Sequence, residues 1–280
     1  MNNSTRIWLI TGVSGGLGRA LALEAAQNGD IVYGTLRKNE QLEAFNELVP
    51  GKTFGVILDV NQHQNIATVL TDILEHQGRL DVLVNNAGYG LFGAIEELSM
   101  EEARQQMETN FFSVLALTQA VLPIMRKQRS GHILQISSMS GIRAYSGTGL
   151  YNASKFALEG MSEALSAEIK PLNIHLTLIE PGPFRTDWAG ASSVRAKKSI
   201  DDYKASSGDR LNLLQSNSGK QPGDPVKGAK AMLKVVNSEN PPLRLVLGKP
   251  ALDAIREKYK MVEEELKAWE DITLNTSFDQ

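Results

Sequence analysis

The chain contains no cysteine. A disulfide framework, a thiolate metal site and thiol catalysis are therefore excluded. Histidine is scarce too: His63, His76, His132 and His175 are the four in 280 residues, and their spacings match no ligand pair on a helix or strand, so no metal site is expected. Neither sign of charge dominates. With 29 basic against 32 acidic side chains and a formal net charge of −3, the chain lacks the clustered positive excess that a phosphate backbone demands, and no nucleic-acid partner is expected. Long apolar runs are also missing. The first covers only Ile7 to Ile10, too short for a signal-peptide core, and none approaches the roughly 18 residues of a membrane span. The expectation is a cytoplasmic protein with no membrane partner.

What the chain does have is alternation. Short runs rich in Val, Ile and Leu at 7–10, 31–36, 54–58, 80–84, 132–136, 174–179 and 243–247 are separated by helical patterns near 17–28, 40–49, 62–77, 100–128, 151–170, 226–237 and 250–269. Continuously apolar runs of this length suit parallel strands buried on both faces. Right-handed crossovers then build an α/β doubly wound parallel sheet of Rossmann type, a three-layer αβα sandwich in a single domain spanning 1–280. One stretch breaks the pattern: about 187–225 is rich in Ser, Gly, Lys and Asp with isolated Trp188, Tyr203, Leu211, Leu213 and Leu214. A structureless connection this long is expected to be a lid or binding loop.

The first strand runs into Thr11-Gly12-Val13-Ser14-Gly15-Gly16-Leu17-Gly18. Glycines at such a turn permit positive φ, allow a pyrophosphate to approach backbone N–H groups at the helix start, and let helix and strand pack closely. Taken alone, a merely flexible turn would read the same way. Tyr151 and Lys155 stand four apart at the start of a helix, on one face. A cation about 4 Å from a phenol would favour phenolate by up to about 4 kcal/mol at an effective dielectric near 20, drawing its pKa toward the working range. The second strand ends in Leu36 followed by Arg37 and Lys38. An acid there would accept from a ribose 2′-OH; its absence and the basic pair favour a 2′-phosphate, with Ser14 as a further donor, over the alternative that Arg37 and Lys38 simply begin a solvated loop.

These features occur in order with Asn85-Asn86-Ala87-Gly88, Asn110, Ser138 and Pro181-Gly182-x-x-x-Thr186. From about residue 5 to 188, and more loosely from 226 to 260, the sequence resembles the short-chain dehydrogenase/reductase family. The resemblance implies that Tyr151 is the general acid for carbonyl reduction, that Lys155 lowers its pKa and binds the nicotinamide ribose, that Ser138 holds the substrate carbonyl, and that Asn110 helps hold a water relay to the lysine. It further implies NADP(H) as cofactor, held by Gly12, Ser14, Gly16, Leu17, Gly18, Arg37, Asp59, Asn86, Ala87, Gly88, Pro181, Gly182, Phe184 and Thr186 together with Tyr151 and Lys155.

Local matches such as Tyr151-x-x-Ser154-Lys155-Phe156-Ala157-Leu158-Glu159-Gly160 look most like the 17β-hydroxysteroid and retinol dehydrogenase branch. The expected substrate is a bulky apolar carbonyl or alcohol against Ser138, Tyr145, Tyr151 and Trp188, with Tyr89, Phe92 and Met139 as further candidate walls. Gln135 stands where the family usually has Asn, which predicts an altered hydrogen bond near the cofactor. A redox-sensing protein that binds the cofactor with little turnover is the second class considered. A methyltransferase on a similar sheet is disfavoured by Leu36-Arg37. By analogy with family members, the long helices at 100–128 and 151–170 are expected to form a homodimer or homotetramer.

Overall fold

The computed structural model describes residues 5–190 and 192–278. Nine strands follow in chain order: β1 (Ile7–Ile10), β2 (Ile31–Leu36), β3 (Thr53–Ile57), β4 (Val82–Asn85), β5 (Leu91–Phe92), β6 (Gly131–Ile136), β7 (Ile174–Pro181), β8 (Val194–Arg195) and β9 (Arg244–Leu247). Seven make one sheet in the order β3-β2-β1-β4-β6-β7-β9 with every pairing parallel. The helices are α1 (Gly16–Gln27), α2 (Leu42–Asn46), α3 (Ile66–Gln77), α4 (Met100–Met107), α5 (Ser113–Gln128), α6 (Gly149–Ile169), α7 (Asp209–Ser216), α8 (Pro225–Val236), α9 (Lys249–Ala268) and α10 (Glu270–Leu274). Among the described residues no helix is long and apolar enough to cross a membrane.

Successive residues of β1 point to opposite faces, which is why the strand is apolar throughout. Leu9 packs with Ile73 of α3, Leu117 and Val121 of α5 and Leu158 of α6. Trp8 and Ile10 pack on the other side with Leu21 and Ala25 of α1, Phe45 of α2 and Met232 of α8. The indole of Trp8 is fully buried, and its Nε1 donates to Asp30 Oδ2 at 2.9 Å, which removes the cost of burying that N–H. Chain direction across the sheet reverses between β1 and β4, so the crevice beyond their C-terminal ends is where a ligand of such a sheet binds.

The helix expected over 100–128 is present and continuous, with a π turn at Glu108–Phe112 joining α4 to α5. One expectation needs correcting. The stretch 187–225 is not structureless. It contains β8, which pairs in parallel with β5, a 3-10 turn at Asp201–Tyr203, a π turn at Lys204–Gly208 and then α7.

Candidate active site

The site grows from the turn after β1. Gly12 and Gly16 adopt φ of +71° and +60°, a region that strains any side-chain-bearing residue. The Thr11 hydroxyl accepts from the backbone N–H of Asn86 and of Ala87, each at 2.9 Å, while Asn86 Nδ2 donates back to Thr11 O at 2.8 Å and Gly12 O at 3.0 Å. The two loops are thereby fixed to each other. A methyl group at Gly18 would collide with Asn86 and Gly12, so the third glycine is what allows this approach. Unlike α4 and α8, whose first turns are capped by Ser99 and Asp224, α1 has Gly15 at its N-cap, with no side-chain cap and no acid in its first turn. Its N–H donors and positive dipole end fit an anionic pyrophosphate.

Thr186 lies over the same turn, its methyl 3.5 Å from where a Cβ at Gly16 would be. Leu17 and Phe184 approach each other against Gly228 of α8, and Gly182 donates to Leu247 O at 2.9 Å. Beside the turn, Arg37, Lys38 and Ser14 share a cleft with Gly12, Thr35, Leu36, Gln41, Leu58, Val60 and Ala87. Asp59 flanks that cleft, its carboxylate accepting from Asn61 N at 3.0 Å.

At the C-terminal end of β6 the chain delivers Ser138, and the first turn of α6 delivers Tyr151. The phenol is 5% exposed. Burial pushes it up to about 12, against the pull of a hydrogen bond with the Ser138 side chain. Lys155, one turn on, donates from Nζ to Ile136 O at 2.7 Å, and the same nitrogen stands 5.9 Å from the centre of the Tyr151 ring. Burial pushes this ammonium down to about 8, opposed by Glu159. The expected lowering of the phenol is therefore not seen: the lysine bonds a main-chain carbonyl, and desolvation of Tyr151 outweighs any attraction between the two.

Asn110 is wholly buried at the π turn. Its Oδ1 accepts from Tyr89 N at 3.1 Å, and its Nδ2 donates to Tyr89 O at 3.0 Å and to Ser154 Oγ at 3.1 Å. The carboxamide thus ties the loop after β4 to α6, a positioning role that the expected water relay did not include. Gln106, which the sequence reading missed, works alongside it by accepting from Leu91 N at 2.8 Å and donating to Tyr89 O at 3.1 Å. A space for Cβ at Gly88 lies 3.1 Å from Asn110 Oδ1 and 3.9 Å from Lys155 Nζ, so this loop borders the lysine directly.

Trp188 closes the other side. Its ring centre is 4.9 Å from that of Tyr151 and 5.4 Å from that of Phe92. A Cβ at Gly90 would stand only 2.8 Å from the indole, so glycine is needed there for the close approach. Tyr145 occupies a neighbouring cleft with Tyr203, Ser206, Ser207 and Gly149, under the Arg210 guanidinium at 4.2 Å from its ring centre. Gln135 accepts from Asn85 Nδ2 at 2.9 Å and donates to Thr118 Oγ1 at 3.3 Å, linking the end of β4 to α5.

Behind Lys155 is a partly buried group of charges that the sequence did not reveal. Arg244 of β9 reaches Glu159 of α6 at 3.1 Å, Glu180 of β7 at 3.4 Å and Glu163 at 2.6 Å. Glu159 and Glu180 are nearly inaccessible. Burial pushes the Glu180 carboxyl up to about 7, with Glu159 adding to the rise and Arg244 opposing it. An acid closing an otherwise apolar strand, Leu176-Thr177-Leu178-Ile179-Glu180, was the available signal.

Residues 6–197 match the family model described as short chain dehydrogenase. A 3-ketodihydrosphingosine reductase of Bacteroides thetaiotaomicron is 39% identical over 87% of this chain and 88% of its own length. Human retinol dehydrogenase 8 is 37% identical over 87% of this chain and 82% of its own. A short-chain dehydrogenase from Streptomyces avermitilis superposes with a TM-score of 0.92 at 38% identity, covering 99% of this chain and all 100% of that one. Two further solved relatives of the fold carry cofactors: one from Burkholderia phymatum with NAD (TM-score 0.83, 22% identity, 95% and 96% covered), and an alcohol dehydrogenase from Thermococcus sibiricus with 5-hydroxy-NADP (0.71, 25%, 87% and 96%). Sequence match, sheet order and superposition agree, and the chain belongs to the short-chain dehydrogenase/reductase family, on its retinol dehydrogenase-like side.

Proposed function

We propose that this oxidoreductase uses NADP(H) to interconvert a carbonyl and a secondary alcohol on a bulky apolar substrate. The observation that carries the reading is the meeting of Ser138, Tyr151 and Lys155 beside the uncapped start of α1. The glycine turn, its free N–H donors and the missing side-chain volume at Gly12 and Gly16 fit a dinucleotide, for which Asn86, Ala87, Gly88, Asp59, Pro181, Gly182, Phe184 and Thr186 form the remaining walls and Arg37 is the 2′-phosphate ligand. When bound, the nicotinamide supplies or accepts hydride. Tyr151 holds its proton firmly at neutral pH, which suits a donor to a carbonyl oxygen, and Ser138 orients and polarises that oxygen without competing for the proton. Lys155 remains mostly charged at pH 7 and steadies the phenolate left behind.

Trp188 and Phe92 offer the substrate an apolar wall, and the relatives named for sphingoid and retinoid substrates support the same size class. The segment 187–225 serves as the substrate lid. Assembly through the outer faces of α5 and α6 belongs to the same reading, since Phe156 of α6 and Phe112, just before α5, are exposed there.

A panel of ketones and alcohols, followed at the nicotinamide absorbance, tests this with Tyr151→Phe as the blank. Bulky apolar ketones should be the better substrates, and the variant should lose nearly all turnover while retaining cofactor binding. Near-parental rates in the variant, or a clear preference for small charged substrates, would overturn it.

A further inference from the structure

Helix α9 outruns the body it belongs to. At its root Ala251 and Ile255 are buried against the domain. Beyond them the same apolar stripe continues into solvent: Tyr259, Leu266 and Trp269 are all more than half exposed, and Val262 lies between them on the stripe. The steps from Leu252 through Ile255, Tyr259 and Val262 to Leu266 alternate three and four residues along α9, the spacing of a seam made for another helix, and Trp269 stands at the cap that ends it.

The charges beside this seam are sorted. Arg256 and Lys258 flank it near the root, Glu263 and Glu265 flank it toward the tip, and Glu270 opens α10 just beyond the tip. That order opposes the helix macrodipole, which favours acids at the N-terminal end and bases at the C-terminal end. Of these five, only Glu263 has a partner within the chain, Lys267 at 3.1 Å. An antiparallel copy of the same helix reverses the balance, because each basic root then faces an acidic tip and the two dipoles oppose.

We propose that the outer half of α9 pairs antiparallel with α9 of a second copy of this chain. The contact is small beside a standard interface of about 1,600 Å², so the pairing depends on concentration and weakens with salt.

Charge reversal tests it by light scattering at micromolar concentration and low salt. Arg256→Glu/Lys258→Glu and Glu263→Lys/Glu265→Lys/Glu270→Lys each make root and tip more alike in sign, and each should halve the assembly mass and raise the dissociation constant at least about tenfold. Mixing the two variants, or combining all five substitutions in one chain, should restore the wild-type mass. Carbonyl reduction by the separate variants should be unchanged, since none of the five lines the site. A monomeric wild type, unchanged masses, or no recovery on mixing would overturn the proposal. So would wild-type binding to phosphatidylcholine vesicles that Leu266→Glu/Trp269→Glu abolishes with the mass unaltered, which would give the stripe to a membrane.

Discussion

Two side chains show how much the behaviour of a charged group depends on its surroundings. Arg37 is exposed at the end of β2, beside Ser14 and the glycine turn, where a planar fork suits a phosphate dianion. Losing one charge-assisted contact typically costs about 1.5–3 kcal/mol. Arg37→Ala should therefore weaken NADPH binding roughly tenfold to a hundredfold and leave NADH nearly unaffected, a result read from fluorescence titration of both nucleotides. Glu180 illustrates the opposite case, a charge kept from water. Its folded carboxyl is raised from 4.5 to about 7, so between those values the folded chain binds more protons than the unfolded one, and stability falls as pH rises through the window. Urea midpoints at pH 5 and pH 8 check this. The wild type should lose stability between them, and Glu180→Gln should lose less; equal losses would show that the carboxyl carries no such penalty.

Among the elements, β1 and β2 have the bounds their apolar runs predict, because a strand buried on both faces announces itself residue by residue. The glycine turn and the Ser138, Tyr151 and Lys155 set were legible for a related reason: each lies where a strand ends or a helix begins. The β5 and β8 ribbon was not legible, since two residues have no period and the pairing of Leu91 with Val194 exists only in the folded chain. Nor was α7, where Leu211 and Leu214 make a single i, i+3 step, too short to establish a period, and only Leu211 is buried. The π turn at Glu108–Phe112 leaves no mark in the apolar pattern; it holds Asn110 inward, bonded to Tyr89 and Ser154. Asn110→Leu would leave Tyr89 N without its acceptor and remove one donor each from Tyr89 O and Ser154 Oγ. A loss of about 2–4 kcal/mol in denaturant unfolding is expected, together with weakened turnover as the loop bordering Lys155 loosens.

At the scale of the molecule, ligand and fold are one equilibrium. A cofactor that binds only the native chain adds about 2.7 kcal/mol at a hundred times its dissociation constant, which for a chain of this size corresponds to several degrees in Tm. NADPH should raise the melting temperature more than NADH at the same concentration, and Arg37→Ala should erase the difference. Equal shifts in the wild type would remove the basis for NADP(H) selectivity.

The indole of Trp188 resting on the Tyr151 ring also makes the proposed lid something that can be watched. Of the three tryptophans, Trp8 is sealed in the core and Trp269 is open to solvent, so Trp8→Phe/Trp269→Phe leaves a single emitter in van der Waals range of the proposed proton donor. Its colour and lifetime then report, without any added label, how often the cover over the reacting centre lifts.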